Sequence, residues 1–160
     1  MILMMTKINQ IMTNIDYENP WLFNNKPFTS EDINKYEGFV YAILSQITGR
    51  FYIGRKYFFS SRRRKGATRR SKKESDWKSY YGSNKILQEE VKEHGKDNYK
   101  RIILSLHITK GDVNYEEVKQ QFLQNVLEDD KYYNDNINGK WYRKPDHIVK
   151  GRILNEHFRF

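Results

Sequence analysis

Two tyrosines, Tyr41 and Tyr52, lie in apolar segments just ahead of a dense run of cations. A tyrosine hydroxyl can activate or orient a water molecule, and clustered cations attract an anionic polymer. The segments Phe39–Leu44 and Phe51–Ile53 have the Phe, Val, Tyr and Ile composition of strands. A short polar link containing Gly49 joins them, so we predict a β-hairpin that brings both tyrosines together. This arrangement favours chemistry on an anionic polymer. The alternative is that both tyrosines are ordinary strand aromatics that pack on the sheet.

The positive charge is concentrated in one segment. The protein has 29 basic and 20 acidic residues and a formal net charge of +9. Between residues 55 and 73 there are ten basic residues and no acidic one, which leaves 19 basic against 20 acidic residues elsewhere. The ten are Arg55, Lys56, Arg62, Arg63, Arg64, Lys65, Arg69, Arg70, Lys72 and Lys73. This excess predicts contact with a phosphate backbone, although a solvated, disordered loop has the same composition. We expect residues 57–76 to be extended or partly disordered and to order on binding.

Composition limits the other possibilities. A chain of 160 residues is expected to form one domain with a real core. It has no cysteine, which excludes disulfides, zinc fingers and thiol catalysis and fits a cytosolic location. No apolar run approaches the ~18 residues of a membrane span, and the first residues do not resemble a signal peptide. We predict a frayed lead over residues 1–20, a domain over 21–144 that includes the cationic arm 55–73, and a basic, aromatic tail over 145–160.

Two further elements follow the cationic segment. Ser83 or Asn84 is a suitable helix N-cap, apolar residues follow at helical spacing, and Gly95 is a natural stop. The segment Tyr99–Leu106 gives the third predicted strand. Because both alternating sets of side chains in Phe39–Leu44 are apolar, we expect that strand to be buried on both faces at the centre of its sheet.

A second helix is predicted later in the chain. Lys110 and Gly111 are expected to turn the chain, and the helix is expected over Asn114–Leu127. Its predicted apolar face consists of Tyr115, Val118, Phe122 and Val126. The Asn- and Gly-rich residues 128–144 then predict a loop.

Short motifs in this order resemble a known family. Phe39-Val40-Tyr41 and Tyr52-Ile53-Gly54 resemble the two halves of the GIY-YIG nuclease signature, with Phe-Val in place of the usual Gly-Ile. The segment YYGSNKILQEEVKEHGKDNYKRIIL is similar to the corresponding segment of phage-borne GIY-YIG endonucleases. The lead-in PWLFNNKPFTSEDINKYEGFVY resembles the seg-type group of these enzymes. The resemblance extends over roughly Trp21–Arg143.

The resemblance implies an α+β fold, with a small three-stranded antiparallel sheet flanked by helices. It implies a metal-dependent endonuclease that hydrolyses DNA phosphodiester bonds, with one Mg²⁺ or Mn²⁺ held chiefly by a glutamate. It also implies a phage-encoded enzyme that acts on DNA in the cytoplasm of a host cell, without membrane association. Two alternatives stay open: a non-catalytic nucleic-acid-binding protein whose tyrosines stack on bases, and a basic structural protein of a nucleoprotein particle.

The same resemblance assigns roles to individual residues. Tyr41 and Tyr52 would activate and orient the attacking water, and a tyrosine acts as general base only if its pKa falls well below about 10. Arg62 or Arg55 would contact the scissile phosphate, because a guanidinium binds phosphate bidentately. The remaining cations of the segment are predicted to bind DNA: Lys56, Arg63, Arg64, Lys65, Arg69, Arg70, Lys72 and Lys73.

The metal ligand is predicted to be a glutamate of the second helix. Glu116 and Glu117 are the candidates, and the resemblance of NYEEVKQQF to the phage-borne group implies Glu117. Asn114 and Glu117 also form a capping-box pattern, in which the glutamate would only close the helix N-terminus. Asn134 resembles a late asparagine of the family that supports the edge of the active site, although it is also a typical turn residue.

Overall fold

Three long strands and two helices form the framework of the molecule. The computed structural model describes residues 15–62, 66, 68 and 71–143, and of Arg62 it describes the backbone only. The strands are β1 (Leu22–Phe23), β2 (Lys26–Pro27), β3 (Gly38–Ser45), β4 (Phe51–Tyr57), β5 (Phe59–Arg62), β6 (Ser71–Glu74), β7 (Tyr99–His107), β8 (Asn136–Ile137) and β9 (Trp141–Tyr142). The helices are α1 (Lys85–His94) and α2 (Lys110–Leu123). Within the described residues, no helix has the length and apolarity needed to cross a membrane.

The main sheet has five strands in the order β2-β1-β7-β3-β4. β1 and β7 are parallel, and the other neighbouring strands are antiparallel. The predicted α+β class is confirmed, but the predicted three-stranded antiparallel sheet covers only β7, β3 and β4. The two added strands have two residues each, and Asn24 and Asn25 between them have positive φ angles of 50° and 62°. Strands this short are missed because two residues cannot show alternation.

β3 lies at the centre of the three long strands and is buried on both faces, as predicted. On one face Phe39 and Tyr41 join a large aromatic core that also contains the apolar side of α1. On the other face Val40 joins a smaller core with Ile53 and, from α2, Val113. Each fully buried side chain of this size contributes about 1.5–3 kcal/mol, so packing on both faces fixes the β3–β4 hairpin.

α1 begins and ends where the sequence predicts. The Asn84 side chain accepts a hydrogen bond from the backbone N–H of Leu87, as an N-cap does. Gly95 follows the last turn with a φ of 87°, which favours glycine. α1 contributes Leu87 and Val91 to the core, and the cap fixes the start of the helix close to the tyrosine hairpin.

α2 begins four residues earlier than predicted. Its N-cap is Thr109, whose hydroxyl accepts a hydrogen bond from the N–H of Asp112. The predicted turn at residues 110 and 111 is therefore wrong, because both residues lie in the first helical turn. Glu117 lies two turns into the helix, so the capping-box alternative with Asn114 is also wrong.

The buried face of α2 differs from the predicted one. It carries Val113, Glu117 and Gln121. Tyr115 and Phe122, which belong to the predicted face, are 70% and 47% exposed. The prediction fails because two of the three buried residues are polar, so apolar periodicity selects the wrong side of the helix. The side of α2 that packs on the sheet therefore carries a carboxylate and an amide.

The described part of the cationic segment forms a hairpin. β5 and β6 are antiparallel, with Phe59 opposite Glu74. Lys72 Nζ lies 2.6 Å from the Glu37 carboxylate and 4.3 Å from the centroid of the Phe59 ring. These contacts tie one face of the hairpin to the domain. The predicted extended conformation is confirmed for the two strands.

Residues ahead of Trp21 also pack on the domain. Tyr17 donates a hydrogen bond to the Phe28 carbonyl at 2.6 Å. The boundary at residue 21 stays a prediction, but contacts with the domain begin before it.

The fully buried Arg101 donates to the carbonyls of Lys78 and Tyr80 at 2.8 and 3.0 Å. Arg101 therefore holds the segment that carries Tyr80 against β7.

Candidate active site

Tyr41 and Tyr52 lie together on one face of the β3–β4 hairpin, as predicted. The strand register pairs Tyr41 with Gly54 and Tyr52 with Ile43, so the tyrosines are diagonal neighbours. Their ring centroids are 6.1 Å apart. A Cβ atom at Gly54 would lie 2.6 Å from the Tyr41 hydroxyl oxygen and 2.9 Å from Cε1 of Tyr52. The absence of a side chain at this glycine therefore makes room for the tyrosine pair.

Two residues from the segment before α1 contact the tyrosine pair. The Tyr52 hydroxyl lies 2.9 Å from Ser83 Oγ, and the Tyr80 ring packs edge-on against that of Tyr41, with centroids 6.1 Å apart. Lys56 Nζ lies 3.7 Å from the centroid of the Tyr80 ring. Burial raises the pKa of Tyr41 well above that of a free tyrosine and raises the pKa of Tyr52 to about 12. Both hydroxyls are therefore protonated near neutral pH, and their pKa shifts are opposite to the one that a general base needs.

Glu117 projects from α2 towards β4 and forms an ion pair with Arg55. Their side chains are 10% and 32% exposed, respectively. Burial raises the pKa of the Glu117 carboxyl above its usual value, although the Arg55 guanidinium acts in the opposite direction. Two residues further along β4, the Tyr57 hydroxyl donates a hydrogen bond to Asn114 Oδ1. The Arg55 guanidinium and the Tyr57 phenol of β4 therefore both contact residues of α2.

The outer edge of β4 is covered by polar groups of the loop that follows α2. The Phe51 N–H donates to the Lys131 carbonyl at 2.6 Å, and its carbonyl accepts from the Tyr133 N–H at 2.7 Å. The next outward-facing residue of β4, Ile53, is bound by the side chain of Asn134. The Asn134 amide accepts a hydrogen bond from the Ile53 N–H at 3.0 Å and donates one to the Ile53 carbonyl at 2.8 Å. The Asn134 amide thus continues the pairing along the edge of β4 in place of a further strand residue.

Gln121 binds the same carbonyl from the opposite side. Its Nε2 donates to the Ile53 carbonyl at 2.9 Å, and its buried Oε1 has no hydrogen-bond partner among the described residues. Gln121 lies one helical turn after Glu117, so both oxygen-bearing side chains share the buried face of α2. A buried acceptor without a donor is uncommon in proteins and often marks the position of a bound water or ion.

A cavity of about 1070 Å³ opens along this edge of β4. Of the predicted catalytic residues, Tyr52, Arg55, Glu117 and Asn134 line it. Tyr41 is only 1% exposed, so its ring stands behind Tyr52 in the core. The cavity therefore gathers a phenol, a guanidinium and a buried carboxylate.

Comparison with known families agrees with this geometry. The family model described as "Putative endonuclease segE, GIY-YIG domain" matches residues 21–137, more than half of the chain. The chain belongs to the segE-type GIY-YIG endonuclease family. Searches of curated proteins and of solved structures found no significant match. The resemblance inferred from the tyrosine motifs is confirmed, and the GIY-YIG match identifies the domain as a nuclease domain.

The GIY-YIG domain offers few protein ligands for a divalent metal. Across residues 15–62 and 71–143, no group of three or more His, Asp or Glu side chains converges as a metal site. Glu117 supplies one buried carboxylate, and Gln121 supplies an unpaired amide oxygen on the same helix face. Mg²⁺ binds oxygen, keeps several waters and is often held by one or two carboxylates, so this donor set fits Mg²⁺ or Mn²⁺.

Glu116, the alternative ligand, has different surroundings. Its carboxylate accepts from Gln120 Nε2 at 2.7 Å and lies 3.4 Å from Lys119 Nζ, both on the surface of α2. The cavity lining includes Glu117 but not Glu116. Of the two glutamates, only Glu117 therefore faces the cavity, and its role as metal ligand stays a prediction.

The predicted DNA-binding residues are distributed more widely than the catalytic ones. Lys56 Nζ lies 2.6 Å from the Asp76 carboxylate. It also lies over the ring of Tyr80, which packs next to the tyrosine pair. Lys72 and Lys73 lie on β6. Arg62 belongs to β5 and not to a helix, so its approach to the site stays a prediction. The other predicted contacts lie outside the described residues: Arg63, Arg64, Lys65, Arg69 and Arg70.

Four residues near the site were not singled out from the sequence. Tyr80 and Ser83 lie in the segment that resembles the phage-borne endonucleases, and this resemblance is the feature of the sequence that could have indicated a role at the site. Gln121 lies one helical turn after Glu117, but the predicted apolar face of α2 did not include it. Arg50 lies in the hairpin link and has no distinguishing motif, yet it lines the same cavity.

Proposed function

We propose that this protein is a metal-dependent DNA endonuclease that hydrolyses phosphodiester bonds in the cavity along β4. The observation that carries the proposal is the convergence of Tyr52, Arg55 and Glu117 on one cavity of a GIY-YIG domain. The run of cations that follows β4 supports DNA as the substrate. The resemblance to phage-borne enzymes supports the cytoplasm of a host cell as the proposed setting.

Glu117 is the proposed ligand of Mg²⁺ or Mn²⁺, and Gln121 offers an unpaired amide oxygen on the same helix face. When bound, the metal supplies Lewis-acid stabilisation of the leaving oxygen. Arg55 is the proposed contact of the scissile phosphate, because its planar, permanently charged fork lines the same cavity. Arg62 remains the second proposal for this role. The ion pair between Arg55 and Glu117 keeps both groups at the site and orients the guanidinium.

Tyr52 is the proposed contact of the attacking water, since its ring lines the cavity and that of Tyr41 stands behind it. Because burial raises the pKa of Tyr52 to about 12, its hydroxyl first positions the water by hydrogen bonding. It accepts the proton only where cationic charge at the site offsets the effect of burial. Tyr41 and Ser83 orient Tyr52 through ring packing and a hydrogen bond.

Asn134 has a positioning role in this proposal. Its amide binds both backbone groups of Ile53, which lies between Tyr52 and Gly54 on β4. It therefore fixes the strand on which the tyrosine and its glycine lie. The cations of the hairpin β5–β6 are proposed to bind the phosphate backbone away from the reacting bond.

A plasmid-cleavage assay tests the proposal. Supercoiled plasmid is incubated with purified protein and Mg²⁺ or Mn²⁺, and a parallel sample contains excess EDTA. The test variants are Tyr52→Phe and Glu117→Ala. The matched control is Tyr115→Phe, because Tyr115 lies on the outer face of α2 and is 70% exposed. We expect metal-dependent cleavage by the wild type and the control, and strongly reduced cleavage by both test variants.

The other outcomes separate the alternatives. Cleavage that persists in Tyr52→Phe and Glu117→Ala at the wild-type rate contradicts the proposed mechanism. Binding of DNA without cleavage under every metal condition supports the non-catalytic nucleic-acid-binding protein instead.

A further inference from the structure

Arg50 immediately precedes β4 and lines the same cavity as the candidate catalytic residues. Its guanidinium lies over the ring of Tyr133, 4.0 Å from the centroid, and Nη2 donates to the Tyr132 carbonyl at 3.2 Å. Stacking and this single hydrogen bond fix the plane of the guanidinium. Arg50 is therefore a preorganised cation at the wall of the cavity.

Most of its hydrogen-bonding capacity is unused. A guanidinium has five N–H donors, and the structure gives that of Arg50 one acceptor. Its Nε is buried without a partner, and no carboxylate of the described residues lies within ion-pair distance of it. The Arg50 side chain is half-buried and lines the cavity, so its remaining terminal N–H groups are the ones that an external acceptor can reach.

The other arginines whose side chains are described have carboxylate or carbonyl partners. Arg55 pairs with Glu117, and Arg101 donates to four backbone carbonyls. Arg143 pairs with Asp130 and donates to four further carbonyls. Among these arginines Arg50 alone has neither a carboxylate nor a set of carbonyls, so an external anion can bind it without displacing an ion pair.

The position of Arg50 separates it from the reacting bond. Arg55 follows Arg50 by five positions of extended chain, which places their backbones ~17 Å apart. The two side chains are therefore placed to contact different phosphates of a DNA strand. Lys85 lines the same cavity, is exposed and has no ion-pair partner in the described part of the chain. The cavity therefore extends from the candidate catalytic groups to a second cationic position.

We propose that Arg50 binds a backbone phosphate of the DNA several nucleotides from the scissile bond. The DNA strand would then run through the cavity from Arg55 to Arg50. The planar fork of an arginine matches the oxygens of a phosphate, and a fixed plane lowers the entropy lost on binding. The identity of the ligand rests on the proposed function, because it takes DNA as the substrate.

Equilibrium DNA binding by the full chain in EDTA tests this site without cleavage. Fluorescence anisotropy with a labelled duplex is measured at several salt concentrations for the wild type, Arg50→Ala and Arg50→Lys. The matched control is Lys35→Ala, which removes an exposed cation that does not line the cavity. We expect Arg50→Ala to lower affinity about ten-fold at low salt. The slope of log affinity against log salt should fall by about 0.9, the value for one phosphate contact. Arg50→Lys should keep the slope with a smaller loss of affinity, and Lys35→Ala should resemble the wild type.

The inference is overturned if Arg50→Ala binds with wild-type affinity and slope, or if Lys35→Ala loses as much as Arg50→Ala. Thermal melting verifies that each variant is folded, and Arg50→Lys carries the test if Arg50→Ala is not folded. A nuclease assay adds a second readout, in which Arg50→Ala raises KM at unchanged kcat while Arg55→Ala lowers kcat. If the protein binds DNA through Arg50 but never cleaves it, the proposed function fails and the Arg50 site stands.

Discussion

Replacing Glu117 with glutamine should separate the activity of this protein from its stability. Burial raises the pKa of the Glu117 carboxyl in the folded protein above its value in the unfolded chain. The folded state is then favoured below the unfolded pKa, and this contribution is lost as the pH rises through the folded pKa. At neutral pH the ionised carboxylate therefore opposes folding. Glutamine removes this charge and keeps an oxygen that can accept a hydrogen bond from Arg55.

The remaining cost is an unpaired charge on Arg55. Its side chain is 32% exposed, so water solvates much of the guanidinium. An exposed ion pair is worth about 0–1 kcal/mol, and neutral replacement of a buried pair is often neutral or stabilising. We expect Glu117→Gln to change the free energy of unfolding by no more than about 1 kcal/mol. For a chain of this size that corresponds to a Tm shift of about 2–4 °C.

Cleavage should respond very differently. Loss of the proposed metal-binding carboxylate should reduce the rate at least about 100-fold, or ~2.7 kcal/mol of transition-state stabilisation. Plasmid cleavage, thermal melting and a Mn²⁺ titration followed by electron paramagnetic resonance measure the three quantities. Glu116→Gln is the matched control, since its carboxylate contacts Lys119 and Gln120 of the same helix and does not line the cavity. It should keep cleavage and Mn²⁺ binding.

Two results would refute this reasoning. If Glu117→Gln melts more than about 8 °C below the wild type, the carboxylate is structural and its loss of activity reflects unfolding. If Glu117→Gln cleaves DNA and binds Mn²⁺ as the wild type does, then Glu117 is not the metal ligand.

Two further predictions concern the tyrosines. Gly54→Ala would place a Cβ atom 2.6 Å from the Tyr41 hydroxyl oxygen. It should destabilise the protein by about 1–3 kcal/mol and slow cleavage, as measured by thermal melting and the plasmid assay. Gly111→Ala in α2 meets no atom closer than 3.8 Å and should not lower Tm, so equal losses in both variants would contradict the steric explanation. Burial raises the pKa of Tyr17 and Tyr52 to about 12. Their contribution to stability should be complete below a pH of about 10 and lost as the pH rises towards 12. The urea midpoint should therefore be lower at about pH 11 than at about pH 8, and an unchanged midpoint together with tyrosinate absorbance at about pH 11 would refute the assigned shifts.

The regular elements were predictable where local signals were strong. β3 shows two apolar faces, and α1 has an Asn84 cap and a Gly95 stop, so both were correctly placed. α2 was misplaced at its start, because the Thr109 cap and its partner Asp112 were overlooked in favour of an Asn114 pattern. β1 and β2 were missed because two-residue strands depend on pairing with distant parts of the chain, which no local pattern records.

The polar face of α2 shows why the site was only partly predictable. Periodicity assumes that the buried side of a helix is the apolar side. Here Glu117 and Gln121 are turned inwards and Tyr115 is turned outwards, because the inward groups bind Arg55 and the Ile53 backbone. When a functional site buries polar residues, apolar periodicity therefore does not identify the helix face that carries them.

The sequence by itself determined the family, the tyrosine hairpin and the concentration of cations, because these are properties of residue order and composition. Only the tertiary structure decided which tyrosine reaches the cavity, that Asn134 completes the edge of β4, and that Arg50 has unused donors. These properties arise from contacts between residues that are far apart in the chain. Burial and pairing are sums over neighbours in space, and residue order alone does not specify those neighbours.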